Sequence, residues 1–284
     1  MKRSFSICIA LLFSMTLPSS AQEGSPSVKM SVESVNAALV SARAATKDKH
    51  YSDSEALMLK ATAAHPEMIL PWIELGLAQI GLKKYSDAEY SFNAALGIGP
   101  SSPKPAGDSG FYGSADAHGV APTAMRDSRS NLNGGTISNA EKRSPEILGV
   151  AYSSLGEIYI RTGRIAEAQA AFDAAVKAFP IQTASYRFNE TILFFQIGNE
   201  DAQLAAAEKA IASDPGRAML YYFKGQALVS KATIDSKTQK MILPPGCAEA
   251  YQRYLELDPN GKFANDAKGV LAAVGVPIKG NGKK

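Results

Sequence analysis

Ser109 and His118 are the residues whose types come nearest to nucleophilic chemistry. Gly107-Asp108-Ser109-Gly110 sets a serine between glycines, and His118 follows within the same segment. A serine attacks only when a base is held within hydrogen-bond reach and is itself oriented. Here the surrounding stretch, residues 101–144, is rich in Ser, Gly, Pro, Asn and Asp, and no strand leads into a strained turn. Asp108, Asp116 and His118 would hold a cation only if that same stretch were fixed. His50 and His65 lie elsewhere, and no His-Glu-x-x-His spacing occurs. No glycine-rich loop follows a strand. The sequence therefore implies no catalytic residue, no metal ligand and no cofactor site.

The elements that would have to position any chemistry begin after a leader. Lys2-Arg3 precedes an apolar run from Phe5 to Leu17, and Pro18-Ser19-Ser20-Ala21 supplies small residues. This is the pattern of a secretory signal peptide over residues 1–21, cut after Ala21, which implies export to the periplasm or beyond the cell. The run is shorter than the roughly 17 residues a membrane span needs, so no span is expected in the mature chain. Loss of Lys2 and Arg3 takes the formal charge from +3 to +1. So weak a field argues against nucleic acid as a partner. Of the two cysteines, Cys8 leaves with the leader and Cys247 remains, so no internal disulfide can form. Cys247 is expected to be a small buried residue at a helix start, the alternatives being an intermolecular disulfide or a reactive thiol.

The remaining chain repeats itself. Trp72, Leu75, Gly76, Ala88, Phe92, Ala95 and Pro100 return as Tyr152, Leu155, Gly156, Ala168, Phe172, Ala175 and Pro180. Pro66 and Pro100 stand 34 positions apart, and so do Ser52-Asp53-Ser54-Glu55 and Ser86-Asp87-Ala88-Glu89. The latter pair has the form of a capping box. Each unit reads as two amphipathic helices around a tight turn, with Val150, Leu155, Ile158 and Tyr159 at helical spacing before Gly163 and a proline at the end. Gly156 and Ala168 are expected to let the two backbones approach, with Phe172 and Tyr159 filling the space around them. This pattern resembles the tetratricopeptide repeat (TPR) family, whose period is 34.

The resemblance implies an all-α solenoid of about five units. Units 1–2 occupy 35–100 after a linker at 22–34, and units 3–5 occupy 145–259, followed by a capping helix at 260–276 and a disordered tail at 277–284. The fourth unit fits only with one residue of slip, its expected Gly being Glu190 or Thr191. Residues 101–144 form a flexible insertion, either a spacer or a strap. If it is loose, the first two units hinge against the last three. Within the fifth unit, residues 231–246 form a smaller insertion with the pattern of a β-hairpin.

In TPR proteins the first helices line a concave face that takes extended peptides or helices. Carried over, that face places Arg43 and Lys47 in unit 1, and Glu74 and Leu77 in unit 2. Ser154, Glu157 and Arg161 follow in unit 3, and Arg187 and Asn189 in unit 4. The implied function is an exported, non-catalytic scaffold holding a protein or peptide partner. Two alternatives remain: an enzyme accessory protein acting through 101–144, and a self-associating envelope component.

Overall fold

Apolar residues at helical spacing, punctuated by turn residues, give a chain of helix-turn-helix pairs. The computed structural model describes residues 30–98 and 143–278. Eleven α-helices stand among them. Unit 1 pairs α1 (Val32–Lys47) with α2 (Tyr51–Ala64), and unit 2 pairs α3 (Ile69–Gly81) with α4 (Tyr85–Leu96). Unit 3 pairs α5 (Pro145–Arg161) with α6 (Ile165–Ala178), and unit 4 pairs α7 (Thr183–Ile197) with α8 (Glu200–Ser213). Unit 5 pairs α9 (Ala218–Val229) with α10 (Cys247–Leu257), and α11 (Ala264–Ala273) stands alone. First helices of successive units touch (α1 with α3, α3 with α5, α5 with α7, α7 with α9), so each unit buries its face on its neighbour. Residues 1–29, 99–142 and 279–284 lie outside the described residues, and with them the expected signal peptide, part of the linker, most of the 101–144 insertion and most of the tail.

In units 2, 3 and 5 the packing pair is a glycine on the first helix and a ring on the second. A Cβ on Gly76 would lie 2.7 Å from the Phe92 ring, one on Gly156 2.6 Å from Phe172, and one on Gly225 3.0 Å from Tyr251. Unit 4 reverses the sizes. Thr191 and Ala207, both fully buried, stand 35 positions after Gly156 and Phe172. The extra residue lies within α7: Thr183 follows Pro180 by three positions, as Ile69 follows Pro66, but the left-handed Gly198 ends the helix 35 positions after Gly163, where Lys83 follows Lys49 by 34. Thr191, not Glu190, therefore occupies the glycine's place.

One local reading is corrected. The repeated Ser-Asp-x-Glu tetrads are not capping boxes. α2 starts at Tyr51 after His50, and α4 at Tyr85 after Lys84, and neither flanking residue makes a side-chain cap. The reason lies one residue earlier, where Lys49 (φ 65°) and Lys83 (φ 60°) are left-handed and turn the chain sharply into the next helix. Gly163 (φ 77°) and Gly198 (φ 69°) hold the equivalent places without the roughly 1–2 kcal/mol that a Cβ costs there. α1 also begins inside the stretch assigned to the linker, with the Ser31 Oγ accepting from Ser34 N at 3.3 Å.

Units 2 and 3 join without a gap. Ile147, Val150 and Ala151 of α5 belong to the same core as Phe92 and Ala95 of α4. Arg143 Nε donates to the Ala95 carbonyl at 3.0 Å, and Ser144 caps α5. Arg164 donates to Glu89 at 2.7 Å and to Glu167 at 2.6 Å, clamping α6 to α4. The insertion interrupts the sequence but not the stack, which removes the reason for a hinge there. At the other end Tyr222 stacks on Phe263, centroids 4.2 Å apart, and donates to Asp266 at 2.7 Å. Those contacts fix α11 over the last unit. The small insertion is a hairpin of β1 (Thr233–Ile234) and β2 (Met241–Ile242), antiparallel, with Thr233 opposite Ile242.

Candidate functional site

The first helices carry charged and amide groups that face one another along the stack. On α1, Arg43 lies 3.9 Å from Glu74 of α3, and the Thr46 hydroxyl donates to the same carboxylate at 2.7 Å. Lys47, one turn on, is exposed, while Leu77 is buried on α3. On α5, Ser154 is buried, and Arg161 Nε and Nη2 both donate to Glu157 Oε1 at 2.8 Å. Burial works against the Arg161 charge, but Glu157 and Tyr85 of α4 outweigh it and raise its pKa. With both Arg161 bonds on one oxygen, Glu157 Oε2 is left buried with no hydrogen bond.

On α7 the grouping differs from its neighbours. Arg187 donates to Glu190 at 2.9 Å and to Asp173 of α6, and Lys209 of α8 reaches the same Asp173 oxygen at 3.3 Å. Arg187 is thus turned toward the second helices rather than standing alone on the first-helix face. Burial pushes the Glu190 carboxyl above its ordinary range, and Arg187 only partly offsets that. Burial pushes Asp173 upward too, but Arg187 and Lys209 outweigh it and hold it low. Glu190 Oε1 has no hydrogen bond. Asn189 is 1 % exposed, and neither its Oδ1 nor its Nδ2 is bonded.

Buried side-chain polar atoms are nearly always hydrogen-bonded, and each one left unmet costs about 1–3 kcal/mol. Glu157 Oε2, both amide atoms of Asn189 and Glu190 Oε1 concentrate that deficit on two adjacent first helices, α5 and α7. The arrangement offers carboxylate acceptors and one amide that can donate and accept at once. That suits a ligand with amide or cationic donors and does not suit an acid-base pair for catalysis, because each carboxylate is already tied to an arginine. Among the described residues, no group of three or more His, Cys, Asp or Glu side chains is placed to hold a metal ion. No helix among them is long and apolar enough to cross a membrane. Ser109 and His118 lie outside the described residues.

Sequence spacing carried part of this site. The i,i+4 pair Glu157–Arg161 and the i,i+3 pair Arg187–Glu190 were legible as helical neighbours. Tyr85, Thr46, Asp173 and Lys209 were not, because they arrive from other helices.

Two segments, residues 37–103 and 153–218, match the family model described as tetratricopeptide repeat. The chain carries TPR repeats. The two matched TPR segments cover units 1–2 and most of units 3–4, the same units that the packing pairs define. Among solved structures, the chain is similar to YrrB, described as a TPR protein with an unusual peptide-binding site. That match has 15 % identity and a TM-score of 0.47, over 82 % of this chain and 90 % of that one. It is also similar to the MamA RS-1 ArsTM double mutant, at 14 % identity and a TM-score of 0.48, over 79 % of this chain and 94 % of that one. No curated protein matches the chain.

Proposed function

We propose that this is an exported, non-catalytic TPR scaffold that receives a protein partner along its first helices, in envelope assembly or secretion. The observation that carries the reading is the unmet hydrogen-bonding capacity of Glu157, Asn189 and Glu190. Export is supported by the Lys2-Arg3, Phe5–Leu17 and Ala21 pattern. These atoms are buried in the free chain, so the partner segment would displace the side chains packed over them to place backbone amides against Asn189 and a donor against Glu157.

Asn189→Leu tests this. Leucine keeps the four heavy atoms and the branching of the amide while removing its two unsatisfied polar groups, and that gain offsets its larger methyls, so the folded chain should be about as stable as the wild type. Crosslinked capture from the exported fraction should then lose the partner that the wild type retains, with circular dichroism showing an intact fold. Retention of that partner at wild-type strength by Asn189→Leu would refute the site.

A further inference from the structure

A second surface lies at the corners of the stack, beginning one turn beyond Glu157. Between the helix-turn-helix corners of units 3 and 4 is a groove of about 450 Å³. Ile160 and Ile165 line it from unit 3 and Ile197 from unit 4, with Glu200 and Asp201 beside them. Glu200 makes no ion pair among the described residues, and Asp201 holds only Lys231 of the same chain. The volume falls in the range of roughly 300–1,000 Å³ that specific sites use.

The hairpin in unit 5 is the matching shape. Ile234 and Ile242 are exposed although both are large and apolar. Thr233 pairs with Ile242 and Ile234 with Met241, so the two isoleucines lie on opposite faces of the ribbon. A blade with an isoleucine on each side fits a cleft with an apolar wall on each side. Its tip is ordered in advance, since the Asp235 carboxylate accepts from Lys237 N at 3.0 Å, Thr238 N at 2.6 Å and the Thr238 hydroxyl at 2.9 Å. Pre-ordering lowers the entropy cost of docking. Lys237 and Lys240 are exposed and make no ion pair among the described residues, which complements the acidic groove. The hairpin does not fill the groove of its own chain, because none of its residues lines it.

We propose that the hairpin of one copy inserts into the unit 3–unit 4 groove of a second copy. Lys237 and Lys240 face Glu200 and Asp201, and Ile234 and Ile242 meet the isoleucines on either wall. The contact is head to tail, so it leaves a free hairpin and a free groove at the two ends and propagates beyond a dimer.

Sedimentation of the protein across a concentration series reads this directly. The weight-average mass should rise with concentration past that of two chains and fall when salt is raised. Ile234→Ser with Ile242→Ser should weaken association by about tenfold or more. Lys240→Glu should weaken it too, and mixing that variant with Glu200→Lys should restore association past a dimer, because every hairpin then meets a groove of opposite charge. Zero-length crosslinking of a light and heavy isotope mixture should join Lys237 or Lys240 to Glu200 between chains. A mass of one chain at every concentration overturns the proposal, as does undiminished association of the isoleucine double variant. Binding to anionic vesicles without self-association also overturns it and assigns the hairpin to a membrane surface.

Discussion

Exchanging the packing pair of unit 3 for that of unit 4 tests whether glycine and ring are one device. Phe172 is fully buried, and a Cβ on Gly156 would lie 2.6 Å from its Cε2 and 2.7 Å from its Cδ2. Phe172→Ala removes a buried ring and should cost about 3–5 kcal/mol. Gly156→Thr forces atoms into that ring. Overpacking of this kind costs about 1–3 kcal/mol, set against roughly half a kcal/mol gained in helix propensity. If the two changes acted independently, the double variant would lose the sum. If instead they form the Thr191–Ala207 arrangement of unit 4, the threonine fills the space the ring left. The double variant should then be at least as stable as Phe172→Ala alone, a coupling of about 2 kcal/mol. Urea unfolding followed by circular dichroism measures this, with the denaturant slope checked for constancy because stacked units can unfold separately. Additivity within about 0.5 kcal/mol would refute the reasoning.

Two further outcomes follow from buried groups of units 4 and 5. Burial, then Glu249, pushes the Cys247 thiol up to about 11, and burial, then Glu146, pushes Tyr186 up to about 12. Tyr222 and Tyr251 are likewise held well above the ordinary phenol range, chiefly by burial. Unfolding returns each to its ordinary value, so above about pH 9 the unfolded chain has shed protons that the folded chain keeps. Stability present at neutral pH should therefore fall as pH rises from about 9 to 11, by up to ~1.4 kcal/mol per unit for each titrating group. A urea midpoint that is flat over that range would contradict the burial of these groups. Tyr222→Phe keeps the stacking on Phe263 but removes the bond to Asp266. It should cost about 1 kcal/mol and speed hydrogen exchange in α11 without affecting α1 to α4; uniform acceleration along the chain would show that the cap is not a local element.

Much of the fold was legible because a repeat states its own rule several times. The spacing of Trp72, Gly76 and Phe92, returning at Tyr152, Gly156 and Phe172, fixes two helices and a close approach in each unit. Arg161 beside Glu157, and Glu190 beside Arg187, follow from one helical turn. The repeated Ser-Asp-x-Glu misled, because a tetrad that fits a cap also fits the first turn of a helix that begins one residue earlier. Only the left-handed Lys49 and Lys83 decide between the two. The register of unit 4 was equally open, since Glu190 and Thr191 are adjacent. Both are buried; the left-handed Gly198 settled it, since Thr191 precedes it by seven positions, as Gly156 precedes Gly163.

Local periodicity, turn residues and composition act through neighbours along the chain, and by themselves they determined the helices, the units and their order. Groups from distant segments meet only when units stack, so the tertiary structure alone decided the rest. It brought Asp173 and Lys209 to Arg187, and Tyr85 to Arg161. It left the amide of Asn189 buried without a partner. It opened the groove between units 3 and 4, because a cleft between two units belongs to neither sequence alone.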